Sequence, residues 1–364
     1  MNIIVFIDGL GYESAAAIGF DRLFTQARPL RPGIGYTVNI TTEIFAGLTP
    51  DAAGFFNKWG VCPGRAPLRR FSPATRALGI LDRWPRADLA VRKALRHRGM
   101  DTARIPWRHC ATFGKIGTDV LHGPNTPRSV IGSRDIVLAH PHGMPGPDDD
   151  PAVIEMAHEA VRSGRDVILY LTYLDGLGHD FGPESKEYLT RAEYYRDALE
   201  RLMEQATKAD PQSRVAVISD HSMSAVERHV AAPPEVPRSR CFIDSVIIRS
   251  WGDAAVRALD PLLDAGHGQL LDEADRARFG VQNREWGDAI LLLQPGGLFV
   301  PDYFTGIYRP ADEPARGMHG YHPDREETWG LFFTHGLTAP AGPGPISAVD
   351  SHSALITMLD GSHP

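Results

Sequence analysis

Apolar runs of strand length recur along the chain, separated by stretches with helical spacing. NIIVFI (2–7) comes first, followed by a helical pattern over 13–27. DIVLAH (135–140), VILYLTYL (167–174) and RVAVIS (214–219) read as further strands, and TWGLFFT (328–334) as a late one. Short unbroken apolar runs of this kind suit strands covered on both faces. Helical patterns at 40–48, 152–163, 186–207 and 350–359 fall between or after them. The alternation predicts an α/β fold: a mostly parallel central sheet with helices on both faces.

Two regions break the alternation. After residue 230 come AAPPEVP, CFIDSVIIRSW and DAILLLQPGGLFV, which predict a small α+β cap insertion over 231–316. The expected catalytic core is therefore 1–230 with 317–364. Residues 60–135 are rich in Arg, Pro and Gly with weak periodicity, and read as a peripheral excursion of that core.

Composition narrows the function classes. The 364 residues are 43% hydrophobic, enough for a large core. A net charge of −7 gives no overall basic field, so neither a nucleic-acid polymer nor a membrane is expected as a partner. No run approaches the ~20 apolar residues of a membrane span. The chain enters its first strand without a charged and apolar leader pattern. Its three cysteines, Cys62, Cys110 and Cys241, are far apart and in no metal-binding spacing. They are expected to be reduced thiols, and a cytoplasmic location is expected with them.

Three of the strands end in acidic or imidazole side chains. Asp8 follows 2–7, Asp175 and His179 follow 167–174, and Asp220 and His221 follow 214–219. The C-terminal edge of a parallel sheet is where sites form. Asp175-Gly-Leu-Gly-His179 reads as a glycine-rich loop turning two side chains inward. His319, in the returning segment, adds a third imidazole, with His322 as its rival. Three carboxylates and three imidazoles exceed the needs of one tetrahedral ion but suit two ions with open positions. Thr37 precedes an apparent helix, NITTEIFAGL, where a hydroxyl feels the helix dipole; Thr41 and Thr42 are the other candidates.

These pieces resemble the alkaline phosphatase superfamily, and within it the nucleotide pyrophosphatase/phosphodiesterase branch. The resemblance rests on IDGLG (7–11), Thr37 with AGLTPDAAG (46–54), YLDGLGHDFGP (173–183), SDHSM (219–223) and MHGY (318–321), all in the family's order. It implies that Thr37 is the nucleophile, forming a phospho-threonine. It implies two divalent ions, Zn2+ in the first instance and Mn2+ as the alternative. One would be held by Asp175, His179 and His319, the other by Asp8, Asp220, His221 and Thr37. It places a substrate phosphate contact at Asn57 or, one residue on, at Lys58. Three positions depart from the family pattern: Ser222 where a glycine is usual, His322 where an acid is common, and PDAAG at 50–54.

The implied activity is hydrolysis of a phosphodiester or pyrophosphate in a small nucleotide-like or sugar-nucleotide substrate. The alternatives are a phosphomonoesterase on the same scaffold, a mutase or phosphonate-cleaving relative, and a catalytically silent binding module.

Overall fold

The computed structural model describes residues 1–62, 64, 66, 68, 69, 75, 77–115, 130, 135–140, 149–303, 313–337, 342 and 344–361. The chain divides into two units. The first comprises Met1–Thr49, Asp119–Ala225 and Ala315–Pro364; the second comprises Pro50–Thr118 and Val226–Pro314. Residues 60–118, expected as an excursion of the core, thus fall in the second unit beside 226–314.

The first unit is built on a seven-stranded sheet. Its strands are β1 (Asn2–Ile7), β2 (Gln26–Arg31), β3 (Val137–Ala139), β4 (Val167–Leu171), β5 (Arg214–His221), β6 (Trp329–His335) and β7 (Ile346–Ser347). Their order is β7-β2-β6-β5-β1-β4-β3. β3, β4, β1 and β5 are mutually parallel, as their apolar runs predict. The other half is mixed: β6 is antiparallel to both β5 and β2, and β2 and β7 pair in parallel.

Alternation along β1 sends side chains to two separate cores. Ile3, Val5 and Ile7 join Val153, Ala157, Tyr188, Tyr195 and Leu199 on one face. Ile4 and Phe6 join Ile40, Ile44, Phe45, Leu355 and Met358 on the other. The helices contributing to the two cores are α1 (Tyr12–Ala17), α2 (Thr37–Ala46), α3 (Asp149–Arg162), α4 (Tyr173–Phe181), α5 (Lys186–Ala209) and α6 (Ala348–Asp360). The helix expected over 13–27 is shorter: α1 ends at Ala17, a 3-10 turn spans Phe20–Leu23, and β2 begins at Gln26. Gly19 breaks the pattern with φ +71°, which glycine adopts without steric strain.

The second unit carries an antiparallel sheet ordered Cys241–Asp244, Ile247–Ser250, Ala289–Leu293 and Gly268–Leu270. Arg249 is fully buried in it, and its guanidinium donates to the carbonyls of Phe56 and Trp59. Between those residues sits buried Asn57, with φ 58°. Asparagine tolerates this left-handed geometry better than most side chains. The Cys110 and Cys241 side chains are buried thiols outside any disulfide, and burial pushes the Cys241 thiol up to about 11. Among the described residues, no helix is long and apolar enough to cross a membrane.

Candidate active site

β1, β4 and β5 run in parallel, so their C-terminal ends share one edge. Asp8 leaves β1 with its backbone N–H donating to Leu171 O at the end of β4. Gly9 then turns with φ 77°. A Cβ there would lie 3.1 Å from Asp175 Cα, so a larger residue would press the two segments apart. Asp220 and His221 are the last residues of β5.

Asp175 and His179 do not lie in a turning loop. Both belong to α4, four residues apart and therefore on one helix face. Gly176 and Gly178 are helical rather than left-handed, and only the second is crowded. A Cβ on Gly178 would sit 2.8 Å from Met223 Cε, whereas one on Gly176 would meet nothing within 4 Å. Close packing, not turning, is what Gly178 provides. Cβ atoms at Gly317 would meet Gly178 O at 2.4 Å and Met223 Cγ at 2.9 Å, so the returning segment lies against α4 and Met223 together. The segment pairs Gly317 with Ala225 and Met318 with Ser224, which delivers His319.

The ligating atoms gather in two triads, each with all its atoms within 4.8 Å of one another: Asp175, His179 and His319; and Asp8, Asp220 and His221. In the first, His179 Nε2 is 3.4 Å from Asp175 Oδ2 and His319 Nε2 is 3.6 Å from Asp175 Oδ1. In the second, His221 Nε2 is 3.2 Å from Asp220 Oδ2 and 3.5 Å from Asp8 Oδ1. The triads meet where the His221 and His319 rings stack, centroids 3.6 Å apart and planes 9° apart. Thr37, the first residue of α2, donates from Oγ1 to Asp8 Oδ1 at 3.3 Å and lies 3.1 Å from His221 Nε2. Thr41 and Thr42 instead donate to backbone carbonyls within α2. Tyr36 sets its ring edge against His319, centroids 5.5 Å apart.

The donor chemistry suits divalent cations. Asp175 Oδ1, Asp220 Oδ2 and His319 Nδ1 are buried without a hydrogen-bond partner. Orphaned acceptors of this kind ask for a positive group. His179 Nδ1 is 2.9 Å from Gly317 O, and His221 Nδ1 is 3.1 Å from Ser222 O. Carbonyl partners fix the proton on Nδ1 and turn the Nε2 lone pair toward the carboxylates, as metal-ligating histidines require. Burial, seconded by the neighbouring His221, holds His319 well below the usual imidazole range, so its ring is neutral. Burial pushes Asp220 up, against the pull of His221. It would push Asp175 up as well, but three imidazoles, His179 first, overcome it and hold that carboxyl below its ordinary value.

Asn57 and exposed Lys58 belong to the second unit, beside buried Asp244, whose carboxyl burial pushes up to about 7. His322 Nδ1 accepts from Asp324 N rather than joining either triad. Two residues escaped the sequence reading. Tyr188, buried in α5, donates from its hydroxyl to Gly9 O at 2.6 Å. Ser219 accepts from Leu10 N at 2.9 Å. Each contact spans well over a hundred residues, so no local pattern carries it.

Comparison with solved structures gives three similar chains. Murine ectonucleotide pyrophosphatase/phosphodiesterase 5, as an inactive variant in complex with AMP, has a TM-score of 0.63 and 12% identity, covering 98% of this chain and 94% of its own. The murine protein without that description has a TM-score of 0.63 and 14% identity, covering 99% and 95%. The human protein has a TM-score of 0.62 and 13% identity, covering 100% and 96%. These likenesses establish the fold. No curated protein matches the sequence. The family model described as type I phosphodiesterase / nucleotide pyrophosphatase matches residues 47–283, a span that includes Asp175, His179, Asp220 and His221. On that match the chain belongs to the type I phosphodiesterase / nucleotide pyrophosphatase family, in the alkaline phosphatase superfamily.

Proposed function

We propose that the chain hydrolyses a phosphodiester or pyrophosphate bond in a small nucleotide-like or sugar-nucleotide substrate, with Thr37 as nucleophile and two divalent ions, Zn2+ by preference, at the two triads. Family and fold indicate a phosphodiesterase/pyrophosphatase hydrolase; the substrate, the nucleophile and the metal are this reading's own. The observation that carries it is a hydroxyl, Thr37 Oγ1, within 3.3 Å of a carboxylate of one triad and 3.1 Å of its imidazole. The murine neighbour, an inactive threonine-to-alanine form in complex with AMP, accords with a threonine nucleophile and a nucleotide-like ligand.

Asp8, Asp220 and His221 would hold one ion and Asp175, His179 and His319 the other. Bound there, the ions supply charge neutralisation for a phosphoryl group and acidify a nearby hydroxyl. Thr37 lies at the N-terminal end of a ten-residue helix, where the dipole favours negative charge on its oxygen. Thr37 Oγ1 gives its proton to the Asp8 carboxylate that accepts from it and bonds to phosphorus, while the ester or anhydride oxygen leaves from the opposite side and takes up a proton from solvent. The phospho-threonine so formed still carries the rest of the substrate; water then bonds to that phosphorus, the Oγ1–P bond breaks, a phosphomonoester is released and a proton returns to Thr37. The His221 and His319 rings stack where the two triads meet.

A panel of bis-p-nitrophenyl phosphate and p-nitrophenyl phosphate, with Zn2+, with Mn2+ and with chelator, tests this reading. Faster turnover of the diester and loss of activity with chelator are expected. Preference for the monoester would move the assignment to a phosphomonoesterase. Thr37→Ala should reduce turnover on the order of 10³-fold or more while leaving the fold intact; retention of a tenth of the activity would remove Thr37 from its role.

A further inference from the structure

The Gly9–Leu10 turn touches both triads. Its Gly9 N–H donates to Asp220 Oδ1 at 3.4 Å, in one triad. Its Gly9 Cα is packed so closely on Asp175, in the other, that an added Cβ would come within 3.2 Å of the Asp175 Cβ. Asp8, a member of the first triad, is the residue before it. Two side chains grip the turn from behind. Tyr188 donates to Gly9 O at 2.6 Å, and the same phenol is hydrogen-bonded by the Gly11 backbone and the Ser14 side chain. Ser219 Oγ accepts from Leu10 N at 2.9 Å and donates to His221 O at 3.1 Å, so it ties the turn to the backbone of a triad histidine.

We infer that Tyr188 and Ser219 are positioning residues that fix the spacing between the two triads by clamping the Gly9–Leu10 turn, and that without the clamp the chain holds one divalent ion well and the second poorly. The argument is geometric. The turn follows directly on Asp8, a ligand of one triad, and packs against the backbone of Asp175 in the other. Left-handed Gly9 has broad conformational freedom, so its position is decided by the groups that hold it. Tyr188 is fully buried, and burial holds its phenol far above the ordinary range, so it remains a donor at every working pH. Its partner is the backbone carbonyl of buried Gly9, and a buried carbonyl left without its donor pulls the turn toward another. Partners one step removed from the ligands commonly change metal affinity 10–100-fold.

This inference rests on the two-ion reading of the site, and the test separates them. The full chain is stripped of metal and titrated with Co2+, as wild type, Tyr188→Phe and Ser219→Ala. Calorimetry reads stoichiometry and affinity, and the electronic and magnetic spectra of the two-ion form read the coupling between ions. Wild type should take about two ions. Tyr188→Phe keeps the ring and its packing; it should bind the first ion normally, bind the second at least ~10-fold more weakly and lose the coupling signal. Ser219→Ala should do the same to a smaller degree, and covers the case in which Tyr188→Phe fails to fold. A wild type that takes one ion or none overturns the two-ion reading. A wild type that takes two, with both variants matching it in affinity and coupling, overturns the clamp, whatever their thermal stability.

Discussion

The two triads use the same residue types in opposite proportions, one carboxylate with two imidazoles and two carboxylates with one imidazole, in different surroundings. Asp8, Asp220 and His221 sit at strand ends, and Asp220 has no exposed surface. Asp175, His179 and His319 come from a helix face and a returning segment, with the Asp175 side chain 21% exposed. Burial dominates at Asp220 and raises its pKa, while surrounding imidazoles win at Asp175 and lower it. One carboxylate is strained by its site and the other stabilised. The lesson is that ligand identity alone does not set ligand behaviour; the element that carries the ligand does. Burial acts on both carboxylates; the helix face sets Asp175 among three imidazoles that outweigh it, whereas at the strand end burial outweighs the pull of His221 on Asp220.

That contrast can be broken by removing one carboxylate at a time. Asp220→Ala should weaken ion binding at its triad by about 3–5 kcal/mol, because the remaining buried groups lose their charge partner with no water to replace it. Asp175→Ala should lose less, since solvent reaches the gap. Competition titration against a coloured chelator compares them, and equal losses would end the distinction.

Metal-free stability sharpens it further, because the two shifts have opposite signs. Asp175, depressed, adds stability that is present above its ordinary value of 3.8 and is lost as pH falls below it toward the folded pKa. Asp220, raised, adds stability below 3.8 that is lost as pH climbs through its folded pKa. At neutral pH and without metal, Asp220→Asn should therefore raise the melting temperature and Asp175→Asn should lower it. Calorimetric scans in chelator decide this; shifts of the same sign would contradict the assigned causes.

The smallest effect concerns the two glycines of α4. Gly176→Ala should be accepted and add up to about 1 kcal/mol to helix stability, since nothing crowds that position. Gly178→Ala must displace Met223 and should destabilise. Denaturant midpoints of the two variants measure it.

Much of the site was legible in the sequence, because it falls at strand ends. The apolar runs 2–7, 167–174 and 214–219 announce buried strands, and the acids and histidines that end them are conspicuous against such runs. Other features were not legible. Two glycines in five residues read as a loop at 175–179, yet the segment is helical, because tertiary contacts with Met223 and the Gly317 segment outweigh glycine's low helix propensity. The stretch 60–118 shows weak periodicity, and its grouping with 226–314 comes from contacts such as Arg104 N donating to Tyr303 O and the Phe113 ring against Phe242 and Trp251, far apart in the chain.

By itself, then, the sequence determined the α/β class, the parallel half of the sheet and the set of chemically able side chains, since period-two and period-3.6 patterns and residue type are local properties. The tertiary structure alone decided the helical setting of Asp175 and His179, the antiparallel entry of β6, and the grip of Tyr188 on Gly9. Each of these depends on where distant segments meet, and packing, not local preference, sets that.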